Sequence, residues 1–142
     1  MYISDAKRLT TEGARKIKNA AVKAAEKAGI PITVAVVDAG GHLLVLERMD
    51  GGKFHSVHSA TTKAVCAASN KRNTGSTGAV GQSLDVLHAL GLALSAGPER
   101  WTAMEGGIPV MAGSECIGGV GVAGGNWEFD EKLAREAAES IQ

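Results

Sequence analysis

Apolar positions along this chain change period several times, and each change predicts a new element. From Leu9 to Ala28, LTTEGARKIKNAAVKAAEKA, the residues Ala14, Ile17, Ala21, Ala24 and Ala28 recur three or four apart, with Lys and Glu between them. That spacing predicts an amphipathic helix, capped by Thr10 or Thr11 and closed by Gly29. Pro31 forbids its continuation. Two strand-like runs follow, Ile32 to Val37 and Leu43 to Met49, joined by DAGGH. Glycines suited to positive dihedrals between two strand-like runs predict a β-hairpin, and Asp50-Gly51-Gly52 ends it.

Small residues then dominate. FHSVHSATTKAVCAASNKR is helix-like from about Ser56 to Ala68, and Ala60, Ala64, Ala67 and Ala68 suit close packing on a sheet. NTGSTGAVG, Asn73 to Gly81, reads as a loop. Ser83 to Ala96 predicts a further helix with Ser83 as its cap, and Pro98 marks its exit. WTAMEGG, IPVMA and CIGGVGVAGG read as three strands, and a last helix spans about Glu128 to Ser140 with Leu133, Ala137 and Ile141 inward. The expected order is helix, two strands, two helices, three strands, helix. Hairpins outnumber crossovers, so the expected fold is a single α/β domain over residues 1–142, a five-stranded antiparallel sheet with helices packed on its faces.

The glycines near the C-terminus raise a nucleotide question. A dinucleotide fingerprint needs a strand, glycines and a helix inside a βαβ unit, with an acid about 20 residues later. Here only one helix follows IGGVGVAGG, and no GxxxxGK[ST] occurs. Asp130 and Glu131 already occupy the helix start where an anion would sit. The glycines are expected to end the last strand and let the chain pass close to a pocket.

Composition narrows the function classes. Fifteen basic and fifteen acidic residues balance, with no basic stripe, which argues against nucleic-acid and anionic-membrane partners. No apolar run reaches the roughly 20 residues of a membrane span, and no secretory leader is visible, so a cytoplasmic location is expected. Cys66 and Cys116, far apart in apolar segments, are expected as reduced thiols. Aromatic residues make up only 4% of the chain, so the core must be built from small aliphatics, and pairing with copies of itself would help so thin a core.

Candidate chemistry centres on His55 and His58, three apart at a helix start and on one side of it, able to act as base or haem ligand. Lys63 lies on the same helix, nearly in register with His55, and Arg48 offers a bidentate anion clamp. Asp130 or Glu131 could share acid–base work if the loop 123–127 bends over a pocket, walled by Trp127 or Trp101. No metal site is expected, because a third ligand is not evident beside the histidines. Asp38 and Asp50 read as turn residues, His42 and His88 as structural, and Cys66 as an inert thiol.

VAVVDAGGHLLVLERMDG from Val34 to Gly51, Lys63-Ala64, GGIPV from Gly106 to Val110, and IGGVGVAGG with the following Asp130-Glu131 form an ordered set. This set resembles the GlcG/HbpS family (DUF336, the haem-degrading-like domain), and is similar to the C-terminal domain of PduO-type proteins. The resemblance runs from Leu9 onward. It implies a profilin-like sandwich, a homo-oligomer (dimer or higher) and, for some members, haem binding. It departs from the family at Ala123, where many members have Ser, and at Phe129, where Gln commonly precedes the acidic pair. The secreted sensor branch of the family carries an export signal not visible here. Two functions stay open: a small-ligand or haem-binding oligomer, and a cofactor-free lyase or isomerase acting by acid–base chemistry on a small carboxylated compound.

Overall fold

The computed structural model describes residues 1–142. Helix α1 (Thr11–Ala28) starts where Thr10 Oγ1 accepts a hydrogen bond from Gly13 N at 3.0 Å, and it ends on Gly29 in the left-handed conformation. Its inward face is Ala14, Ile17, Ala21 and Ala25; Ala28, expected inward, is exposed because the 3.6-residue turn carries the face to Ala25. Strands β1 (Thr33–Asp38) and β2 (Leu43–Arg48) form the expected hairpin. Asp38 fixes the turn: its Oδ1 accepts from Gly40 N at 2.9 Å and His42 N at 3.0 Å.

Helix α2 (Ser56–Asn70) runs on to Lys71, and α3 (Val86–Ala96) begins later than expected, capped by Asp85 rather than Ser83. Asp85 wins because its carboxylate accepts from His88 N at 2.8 Å. Strands β3 (Gly107–Ala112) and β4 (Glu115–Ala123) precede helix α4 (Trp127–Glu139), capped by Asn126.

The sheet has four strands, not five, in the order β2-β1-β4-β3, and every pairing is antiparallel. The missing strand is the expected WTAMEGG. It forms no ladder: Trp101 to Gly106 crosses from α3 to β3 as irregular chain, and Gly106 adopts φ +120°, outside strand geometry. Pro109, which lacks an N–H, lies in β3 at the sheet edge where that loss is tolerated.

Side-chain alternation splits β1 between two layers. Val34 and Val36 face α1 and α4 in a 17-residue core cluster, whereas Ala35 and Val37 face α2 in a smaller cluster of six. On the α2 side the sheet presents Gly119 and Gly121 within β4, so the glycines do not merely end the strand as expected. A Cβ on Gly121 would run into the carbonyl oxygen of Ala60, and one on Gly119 into that of Ala64. Absent side chains therefore let α2 lie directly on the sheet, and this contact sets the depth of Lys63. Gly124 and Gly125 do end the strand and turn the chain toward α4.

Helix α3 is the exception to the layering. None of its residues is buried, and it packs on no strand.

Candidate functional site

One cavity of about 770 Å³ lies between α2, α3, the 97–106 connection and the turn after β4. Its volume falls in the range of about 300–1,000 Å³ usual for small-molecule and cofactor sites. Its most buried charged groups are Lys63 and Asp130. Lys63 sits on the sheet face of α2, and its Nζ donates to the carbonyl of Val122 at 2.9 Å and to Asp130 Oδ2 at 3.4 Å. Asp130 Oδ1 accepts from Gly125 N at 2.9 Å, which ties the first turn of α4 to the glycine turn. The two side chains are only 6% and 5% exposed.

Desolvation governs both groups. Burial pulls the Lys63 ammonium below the ordinary lysine value, against the pull of the Asp130 and Glu105 carboxylates. Burial likewise pushes the Asp130 carboxyl above the ordinary range, although Lys63 and the Gly125 amide oppose it. Both shifts run toward the uncharged forms. The chain at Gly106 passes close beside the amine: a Cβ there would stand 2.6 Å from the Val122 carbonyl oxygen, 3.0 Å from Nζ and 3.2 Å from Asp130 Cβ.

His55 and His58 line the outer part of the same cavity, and both are exposed. His55 occupies the N-cap of α2 without a capping hydrogen bond from its side chain, so its imidazole is not committed to the helix start. The apolar wall comes from Val86, Leu90 and Ala93 of α3, with Trp101 and Met104 from the connection.

The cavity thus brings together His55, His58, Lys63 and Asp130. Glu131 lies on the next face of α4 and pairs with Arg135. Arg48 donates to the carbonyl of Gly52 at 2.8 Å, bracing the end of the hairpin rather than the cavity. Trp127, at the start of α4, is exposed outside the cavity, and Trp101 supplies the aromatic wall. No three His, Cys, Asp or Glu side chains converge. Both cysteines are free; burial raises the Cys66 thiol, which points at the Thr102 carbonyl. Sequence reasoning passed over Lys53 and the apolar wall of α3. The signal for the wall was present as an eleven-residue helix without a Lys, Arg, Asp or Glu. The carbonyl of Val122, a backbone group, carries no side-chain signal at all.

Comparison with known proteins places this architecture. The family model described as haem degrading protein HbpS-like matches residues 9–139, and the chain belongs to that family. Protein GlcG of Escherichia coli K12 is 32% identical over 115 residues, covering 81% of each chain. A double mutant of HbpS from Streptomyces reticuli has the same fold, with a TM-score of 0.81 and 35% identity over 99% of this chain and 91% of that one. PduOC, solved as a complex with haem, superposes with a TM-score of 0.81 at 25% identity, covering 96% of both chains. No helix of the present chain is long and apolar enough to cross a membrane.

Proposed function

We propose that this chain is a haem-binding protein of the HbpS type, working in the cytoplasm as a homo-oligomer. The observation that carries the reading is the cavity itself: room for a cofactor, an apolar wall from α3 and Trp101, and two uncommitted imidazoles at its outer part. These residues fit a porphyrin. Val86, Leu90 and Met104 would cover its apolar part, His55 or His58 would offer a nitrogen to its iron, and Lys53 and Lys63 would attract its propionates. Bound haem would supply a redox-active iron. The residues of the chain would bind it, orient it and restrict water around it. The haem complex of PduOC supports this reading by family relationship.

Self-association draws its support from α3. A helix apolar on every side is ordinarily buried, yet here Leu87 and Leu94 are 75% and 70% exposed on the side away from the cavity. A second copy of this uncharged surface is the occupant that fits it.

The test is a haem titration followed by absorbance. A Soret band is expected at stoichiometric haem, lost on His55→Ala or His58→Ala and retained in His42→Ala and His88→Ala. Absence of binding at stoichiometric concentration overturns the proposal.

One observation favours a second reading. The buried Lys63–Asp130 pair lines the cavity and is suited to acid–base work, as a cofactor-free lyase or isomerase of a small carboxylated compound would need. Turnover of such a compound, abolished by Asp130→Asn, would establish it.

A further inference from the structure

A lysine amine that only anchors a helix has no need of a cavity at its nitrogen. Lys63 has one. Its Nζ meets two protein acceptors, Val122 O and Asp130 Oδ2, so one of its three substituent positions has no protein partner. Gly106, at φ +120°, lets the chain pass close to that nitrogen, where a Cβ would collide with the Val122 carbonyl oxygen and stand 3.0 Å from Nζ. Leu90, Trp101 and Met104 line the same cavity and give it an apolar side.

We propose that Lys63 captures carbonyl compounds, condensing with a small aldehyde or ketone in the cavity to form an imine, with Asp130 as the proton donor and acceptor. The inference rests on the cavity being a ligand site but not on the ligand being haem. The step begins with neutral Lys63 and protonated Asp130. The Nζ lone pair attacks the carbonyl carbon, a C–N bond forms, and the C–O π pair moves to oxygen, which takes the Asp130 proton. The nitrogen then returns one proton to Asp130, giving a neutral carbinolamine. The C–O bond breaks as the hydroxyl leaves with the Asp130 proton as water. The products are a protonated imine, one water and the Asp130 carboxylate, a cation beside an anion. Burial favours the starting state, since it moves Lys63 toward the free amine and Asp130 toward the acid. Glu105, the other carboxylate that acts on Lys63, opposes this from the 97–106 connection.

The experiment uses the full chain, benzaldehyde as probe and cyanoborohydride as reductant near neutral pH, read by intact mass and peptide mapping. One benzyl group is expected on the peptide that carries Lys63, ahead of the exposed lysines, whose ammonium forms do not attack. Lys63→Arg removes this label, and Asp130→Asn slows it by about 100-fold through loss of the proton relay. Labelling spread over exposed lysines as fast as at Lys63 overturns the proposal, and it does so on the unmutated protein. A haem titration on the same sample separates the two readings: intact haem binding without Lys63 labelling sinks the imine alone, whereas labelling without haem binding sinks the haem reading alone.

Discussion

Lys63 and Asp130, 67 positions apart in the chain, meet in a buried ion pair at 3.4 Å beneath the cavity. The pair links α2 to the start of α4 through the last carbonyls and amides of β4 and its turn. Truncating one partner leaves the other buried without a counter-charge, which costs about 3–5 kcal/mol. Asp130→Ala is therefore expected to lower unfolding free energy by that amount in urea titrations. Replacing both residues, Lys63→Met with Asp130→Leu, removes both desolvation penalties and should recover most of the loss. A double variant no more stable than Asp130→Ala would show that the carboxylate acts through its bond to Gly125 and not through the pair.

The same two groups set a pH dependence. Lys63 titrates below its ordinary value of 10.5 in the fold, so the unfolded chain binds the extra proton between the folded value and 10.5. Stability then rises with pH through that window, and the penalty is fully present below it. Asp130 titrates above its ordinary 3.8, so the fold binds the extra proton between 3.8 and the folded value. Its stabilisation is full below 3.8 and is lost as pH rises through the folded value. Relative to the Lys63→Met, Asp130→Leu double variant, the natural chain is expected to gain stability toward both ends of the pH range and to be least favoured between them. Unfolding midpoints measured across that range check the sign. A difference between the two chains that stays flat with pH would contradict it.

Glycines in β4 and α3 make opposite predictions. At Gly121 an added methyl meets the Ala60 carbonyl, and backbone on both sides leaves no side chain to move. Gly121→Ala is expected to cost about 1–3 kcal/mol or more by forcing α2 off the sheet. Gly91, inside α3, has nothing within 4 Å of the same methyl. Gly91→Ala should stabilise by about 0.5–1 kcal/mol through helix propensity alone. Thermal unfolding of the two variants tests both signs in one experiment.

These contrasts show what the sequence made legible. Periodicity located every helix and the β1–β2 hairpin, because Ile17 and Ala21 or Val34 and Val36 must share a face whatever packs on it. The glycines of β4 misled in part, since Gly124 at a turn and Gly121 under a helix are the same letter. Trp101 to Gly106 read as a strand because Trp, Thr, Ala and Met carry no backbone information, whereas the positive φ of Gly106 ends any ladder. The histidines and Lys63 were legible as candidates by residue type. That Asp130 rather than Glu131 reaches Lys63 was not, because it depends on the rotation of α4 fixed by Leu133, Ala134 and Ala137 in the core. The placement of Arg48 on the Gly52 carbonyl is likewise a matter of loop geometry.

The eleven residues of α3, VLHALGLALSA, carry one titratable side chain, and none is buried. Ala89, Leu90 and Ala93 line the cavity, which leaves Leu87 and Leu94, seven apart and so two turns along one stripe, facing solvent. A stripe of that kind gains by burial against another apolar surface at roughly 25 cal/mol per Å². With no net charge on the chain, long-range repulsion does not oppose a second copy. Leu87→Glu with Leu94→Glu places two carboxylates on the stripe and is expected to shift the mass by light scattering toward the 14.5 kDa monomer. Because both positions are exposed in the single chain, monomer stability should change by no more than about 0.5 kcal/mol. The variant therefore separates assembly from folding. A natural chain that already runs at 14.5 kDa at high micromolar concentration would refute the homo-oligomer. Since the opposite side of the same helix walls the cavity, loss of assembly is also expected to loosen α3 and weaken ligand binding there, measurable as a lower haem affinity in the variant although neither leucine lines the site.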